Sequence, residues 1–178
     1  MKIVASTKLT RAQRAMTESR RYGQTSQTVF EEAETKPVEG EGKKTLLVIC
    51  SSDKGLCGGI HSGMTRATRR VMNKDPGDYD LAIVGEKCKA QLSRSNPKDI
   101  QLSFAGVGKD VPTFSDAQAI ADQIALLPTD YSSIKIMYNK FINAQSYEAT
   151  VVEAFSEEAI AASRELPMKY IYHHERSC

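Results

Sequence analysis

Short unbroken apolar runs alternate along most of the chain with longer segments of helical period. Residues 45–50, TLLVIC, are too few for a helix and rich in β-branched side chains, so they predict a strand buried on both faces. Residues 80–85, DLAIVG, repeat the pattern, and residues 100–104 and 133–138 supply a third and a fourth strand. Helical stretches fall between them at 60–73, 86–94 and 113–127. In the last of these Ile120, Ile124 and Leu127 share a face, and Pro128 stands just beyond its end. A fifth strand, 147–155, follows the fourth after a connection too short for a crossover helix, which predicts an antiparallel hairpin at one edge. The order β-α-β-α-β-α-β-β gives an α/β fold: a small open Rossmann-like sheet of about five strands, with helices on both faces.

A different pattern precedes the sheet. Residues 1–34 contain no proline, and only Gly23 interrupts a run of good helix formers, so they predict one long helix. Ala5, Leu9, Ala12, Met16, Ser19, Gly23, Ser26 and Phe30 recur at alternating steps of four and three, the seam spacing of a coiled coil. Most of these residues are small, which allows a second helix to come close. Over the first two-thirds of the helix the other faces carry Lys2, Lys8, Arg11, Arg14, Arg20 and Arg21 against one acid, Glu18. Such a face suits three roles: a solvated surface, a cleavable organellar presequence, or a site for an acidic protein partner. Composition alone does not separate them.

Residues 35–44 hold a proline, two glycines and mixed charges and read as a linker, leaving 45–155 as the α/β domain. Ser156, Glu157 and Glu158 look like a helix start, yet Pro167 and the closing residues 170–178 show no apolar period. An irregular tail over 156–178 is the expectation.

At 178 residues the chain accommodates one α/β domain and some length besides, and a net charge of +2 gives no case for nucleic-acid binding by the chain as a whole. Its four cysteines, Cys50, Cys57, Cys88 and Cys178, form no C-x-x-C pair and no cluster with histidine at ligand spacing. Neither zinc nor a disulfide framework is indicated, and reduced thiols are expected. No apolar run reaches membrane-spanning length, so the expectation is a protein that is soluble or held at a membrane by other proteins, without direct insertion.

The chemistry question centres on the turn at 51–59, SSDKGLCGG, between the first strand and the following helix, because partners of such sheets usually dock at the strands' carboxyl ends. Gly55, Cys57 and Gly59 match the nucleophile elbow in its cysteine form. Cys57 would then attack a carbonyl, with His173 or His174 as base, in an α/β hydrolase. An elbow places its nucleophile at the strand's sharp exit, however, and here Ser51, Ser52, Asp53 and Lys54 intervene. His61, one turn into the helix, reads as a surface or capping residue. The turn lacks both the P-loop order and the dinucleotide order of glycines, and no carboxylate pair has a recognisable partner set. No catalytic residue, metal ligand or cofactor site is therefore nominated.

The residues also carry a resemblance. Residues 1–9, MKIVASTKL, resemble the amino-terminal helix of the gamma subunit of F-type ATP synthase, and 52–59, SDKGLCGG, resemble that family's most recognisable loop. Ile60-His61-Ser62 is similar to the mitochondrial form, and 106–114, GVGKDVPTF, continues the match; together the likeness covers residues 1–155. It implies a non-catalytic rotor subunit whose terminal helices wind together inside a ring of alpha and beta subunits, with the α/β domain at the foot, coupling proton translocation to ATP synthesis by rotation. Implied partners are the alpha and beta subunits, delta- and epsilon-type stalk subunits and the membrane rotor ring. The implied location is peripheral, on the matrix side of the mitochondrial inner membrane. Lys2, Lys8, Arg11, Lys54, Gly55, Leu56 and Cys57 would face acidic loops of the beta subunits, and Ala5, Leu9, Ala12, Met16, Ser19 and Gly23 would form the shaft seam. The presequence reading of the first helix gives way to a place in the shaft. Set against the family, the helix is expected to begin about two dozen residues along the shaft. The carboxyl-terminal shaft helix is expected to be missing.

Overall fold

The computed structural model describes residues 2–32, 44–74, 77–107, 112–143 and 145–154. The chain divides into two units, with α1 (Lys2–Glu32) in one and the sheet in the other, which spans Val38–Ala154.

Helix α1 runs unbroken for 31 residues, or ~46 Å at 1.5 Å per residue. Thr10, Thr17, Thr25 and Thr28 each donate their hydroxyl to the carbonyl four residues back, so these hydroxyls are satisfied within the helix itself. The Arg14 guanidinium meets Glu18 at 3.2 Å across one turn. Both side chains are well exposed, so this pair contributes little to stability.

The second unit is the expected βα alternation: β1 (Lys44–Cys50), α2 (Ile60–Lys74), β2 (Asp78–Val84), α3 (Glu86–Leu92), β3 (Ile100–Phe104), α4 (Phe114–Ala125), β4 (Tyr131–Asn143) and β5 (Ser146–Ala154). The five strands lie in the order β3-β2-β1-β4-β5. β1 to β4 are parallel neighbours, and β5 returns antiparallel along β4. The unbroken apolar runs of β1 and β2 follow from this placement, because strands at the centre of a parallel sheet are covered on both faces.

Alternate residues serve the two faces. Leu47, Ile49, Leu81, Ile83 and Met137 pack under Met64 of α2 and Cys88 and Leu92 of α3, all buried. Leu46, Val48 and Ala82 form the opposite core, which Ile124 of α4, Leu127, Ile134 and Ile136 partly cover. α4 starts on a reciprocal cap: the Thr113 hydroxyl accepts from the Asp116 N–H, and the Asp116 carboxylate accepts from the Thr113 N–H. At the amino ends of the strands, buried Asp80 accepts from Lys44 Nζ at 3.1 Å and Tyr131 Oη at 3.0 Å, so a carboxylate inside the sheet is paired and hydrogen-bonded. Burial first, and then this carboxylate, push the Tyr131 phenol up.

Strand β4 is longer than the apolar run 133–138 predicts. Pairing with β5 carries it on to Asn143, through a register shift between Phe141 and Asn143. Asn139, Lys140 and Asn143 break up the apolar pattern in that outer part, although the ladder continues. The linker expectation lies outside the described residues apart from Lys44, which opens β1; the tail 156–178 lies wholly outside them.

Candidate functional site: the loop at the strand exits

The turn after β1 is fastened to its neighbours before it reaches its tip. Ser51 donates both its N–H and its hydroxyl to the Val84 carbonyl, at 2.9 and 2.7 Å. Asp53 then divides its carboxylate: Oδ1 accepts from the Glu86 N–H at 2.6 Å, at the start of α3, and Oδ2 accepts from the Gly106 N–H at 2.5 Å, beyond β3. The Gly85 N–H reaches the Phe104 carbonyl at 2.8 Å. One carboxylate and one hydroxyl thereby join the exits of β1, β2 and β3. Negative charge at the first turn of α3 is also where the helix dipole favours it.

Glycine is required at one of these crossings. Gly85 has φ +107, and a Cβ there would stand 2.5 Å from Ser51 Oγ and 2.7 Å from the Ser52 backbone nitrogen.

Beyond this anchor the loop projects. Lys54, Gly55, Leu56 and Cys57 are all exposed. Leu56 has no cover at all and sits at φ 57, a left-handed conformation that side chains with a Cβ rarely adopt. The His61 ring holds the Lys54 carbonyl through Nε2 at 2.8 Å, and Cys57 Sγ lies 3.1 Å from the Gly55 carbonyl as a donor. Gly58, at φ 62, then turns the chain into α2, where the Gly63 N–H bonds to the Gly59 carbonyl. The loop's own donors thus hold its backbone, while a leucine and a lysine face outward.

Cys57 Sγ and the His61 ring are each hydrogen-bonded to loop carbonyls. His173 and His174 lie outside the described residues. Burial pushes the Cys50 and Cys88 thiols up, away from the thiolate form a nucleophile needs. No group of three His, Cys, Asp or Glu side chains suited to a metal ion occurs among the described residues. None of their helices is long and apolar enough to cross a membrane.

The remaining expected contact residues lie on α1, in the other unit. Lys8 and Arg11 are exposed. Of the seam, Leu9, Ala12, Ser19 and Gly23 are exposed and Met16 is half-buried, with Leu9 keeping 51% of its surface in solvent. The side chains of Lys2, Ala5, Ser26 and Phe30 are outside the described set. Sequence reasoning missed Asp53, Gly85 and Gly106. Their signal was nonetheless present: a carboxylate inside a strand-exit turn, and a glycine within two residues of the end of β2 and of β3.

An open α/β sheet presents a braced loop at its strand exits, and among the described residues no nucleophile and base are brought together. A family model described as ATP synthase matches residues 1–177, past residue 155 where the motif-based likeness stops. The mitochondrial ATP synthase subunit gamma of Yarrowia lipolytica is 50% identical over 90% of this chain and 55% of its own length. That of Pichia angusta is 45% identical over 93% and 61%. Among solved structures, the central stalk and c-ring of the Tetrahymena thermophila mitochondrial ATP synthase contain a chain with a TM-score of 0.65 and 29% identity, covering 88% of this chain and 74% of that one. The chain belongs to the ATP synthase gamma-subunit family. It spans between 55% and 61% of the length of these two curated relatives.

Proposed function

We propose that the chain acts as a central-stalk rotor subunit of a proton-driven mitochondrial ATP synthase, without catalytic chemistry of its own. The observation that carries this reading is the family match along residues 1–177, joined to a loop whose Lys54 and Leu56 are held outward. In this role α1 forms part of the shaft inside the ring of alpha and beta subunits. Lys2, Lys8 and Arg11 on α1, and Lys54 to Cys57 on the loop, meet acidic loops of the beta subunits. Attraction between a cationic face and acidic loops does not demand one fixed register, which suits a surface that must turn. The α/β unit sits at the foot, against delta- and epsilon-type stalk subunits and the membrane rotor ring, peripheral to the matrix side of the inner membrane. The seam Ala5, Leu9, Ala12, Met16, Ser19 and Gly23 accommodates a second helix at close range.

Co-expression with alpha and beta subunits tests the reading. The expected result is a complex whose ATP hydrolysis depends on this chain and falls when Lys54→Glu is combined with Leu56→Ser. A ring with the same activity and composition whether or not the chain is present overturns it.

A further inference from the structure

A second cationic face lies on α2, and the rotor contacts proposed above do not use it. Arg66, Arg70 and Lys74 follow one another at four-residue spacing, so they form a single ridge ~12 Å long on the exposed side of the helix. α2 contains no Asp or Glu, and among the described residues none of these three cations enters an ion pair. Arg69 flanks the ridge with its guanidinium fixed on Ser95 Oγ at 2.9 Å. The neighbouring α3 and the turn after it add exposed Lys87, Arg94 and Lys98. The only acid of α3, Glu86, is taken up by Lys89 at 3.6 Å. Asp99, in the turn after α3, accepts from the Asn96 amide at 2.8 Å, so among the described residues the ridge stays without an ion pair although the chain as a whole carries only +2.

The opposite side of α2 decides what kind of partner fits. Met64 and Thr68 are buried, and Ala67, Val71 and Met72 pack against the core beneath. The helix therefore has no apolar face left to enter a lipid surface, which an interfacial helix requires. Two arginines one turn apart instead present planar forks suited to carboxylates, and a row at four-residue spacing matches acids repeating at that spacing on another helix. We propose that the ridge Arg66, Arg70 and Lys74 is a docking site for the acidic face of a helix on a partner protein.

The test uses the full chain and a fluorescein-labelled helical peptide bearing Glu at every fourth position, followed by anisotropy at 50 and 200 mM NaCl. The expected result is salt-sensitive binding that R66Q/R70Q/K74Q weakens by about tenfold, as the loss of three exposed ion pairs predicts. K140Q, on the β4–β5 hairpin, leaves the affinity unchanged. Equal affinity of the triple variant overturns the proposal. So does binding that appears only with vesicles containing phosphatidylserine and not with the peptide, which would make the ridge a membrane contact. Should the triple variant lose its circular dichroism signal, R70Q alone carries the comparison: about a twofold to threefold loss is expected, and no loss overturns the proposal.

Discussion

Replacing Asp53 by alanine should loosen the strand-exit platform more than any other change confined to the loop. Both carboxylate oxygens accept backbone N–H groups, from Glu86 at 2.6 Å and Gly106 at 2.5 Å, and the side chain is half-buried. A hydrogen bond to a charged group contributes about 1.5–3 kcal/mol, and partial exposure favours the low end, so the two together are worth about 3 kcal/mol. For a domain of this size, roughly 3–6 °C of melting temperature is lost per kcal/mol, so Asp53→Ala should melt about 10 °C or more below the parent. Asp53→Asn keeps one acceptor oxygen and should lose about half as much. Thermal unfolding by circular dichroism gives the shift, and amide hydrogen exchange localises it, with Glu86 and Gly106 losing protection first. A variant that melts within about 1 °C of the parent, with both amides still protected, would show that the carboxylate does not brace the strand exits.

Gly85→Ala should be still more damaging, by about 3–5 kcal/mol, since a Cβ at φ +107 would meet the Ser52 backbone at 2.7 Å; a melting point within a few degrees of the parent, on the scale above, refutes the crossing described here. Cys57→Ser should leave the fold unchanged, because the exposed thiol donates to the Lys54 and Gly55 carbonyls and a serine hydroxyl can do the same; if the chain hydrolysed an ester and this variant abolished that turnover, the non-catalytic reading would fail. Asp116 has its carboxyl held below the ordinary 3.8 by the Thr113 N–H and hydroxyl. Its folded value being depressed, the cap is complete above the unfolded value and is lost as pH falls through the folded one. In an acid NMR titration the Thr113 amide should therefore move with a midpoint below 3.8, and a midpoint above it contradicts the cap.

The sheet was legible in the sequence because its central strands are covered on both faces. Leu46 to Ile49 and Leu81 to Val84 are all buried, so each run is apolar without interruption and its edges mark the strand. β4 was legible only where it crosses the core, since Lys140 and Asn143 continue the ladder with side chains in solvent. The loop was located from its glycines and its family likeness, but its brace was not. Which N–H groups Asp53 takes depends on where β2 and β3 end relative to β1, a register that no local pattern encodes. The Arg66 ridge shows the opposite case. Its spacing is plain in the sequence, yet its meaning depends on α2 turning its other side to the core.

Rotation is the most direct test of the rotor reading. The chain is assembled with alpha and beta subunits fixed to a surface, and a bead is attached to the α/β unit through a cysteine in place of exposed Lys140. Stepwise turning in one direction that needs ATP and stops when ATP is withdrawn is the predicted result. A bead that only fluctuates, on a complex that still hydrolyses ATP, would contradict the claim that this chain is the turning element.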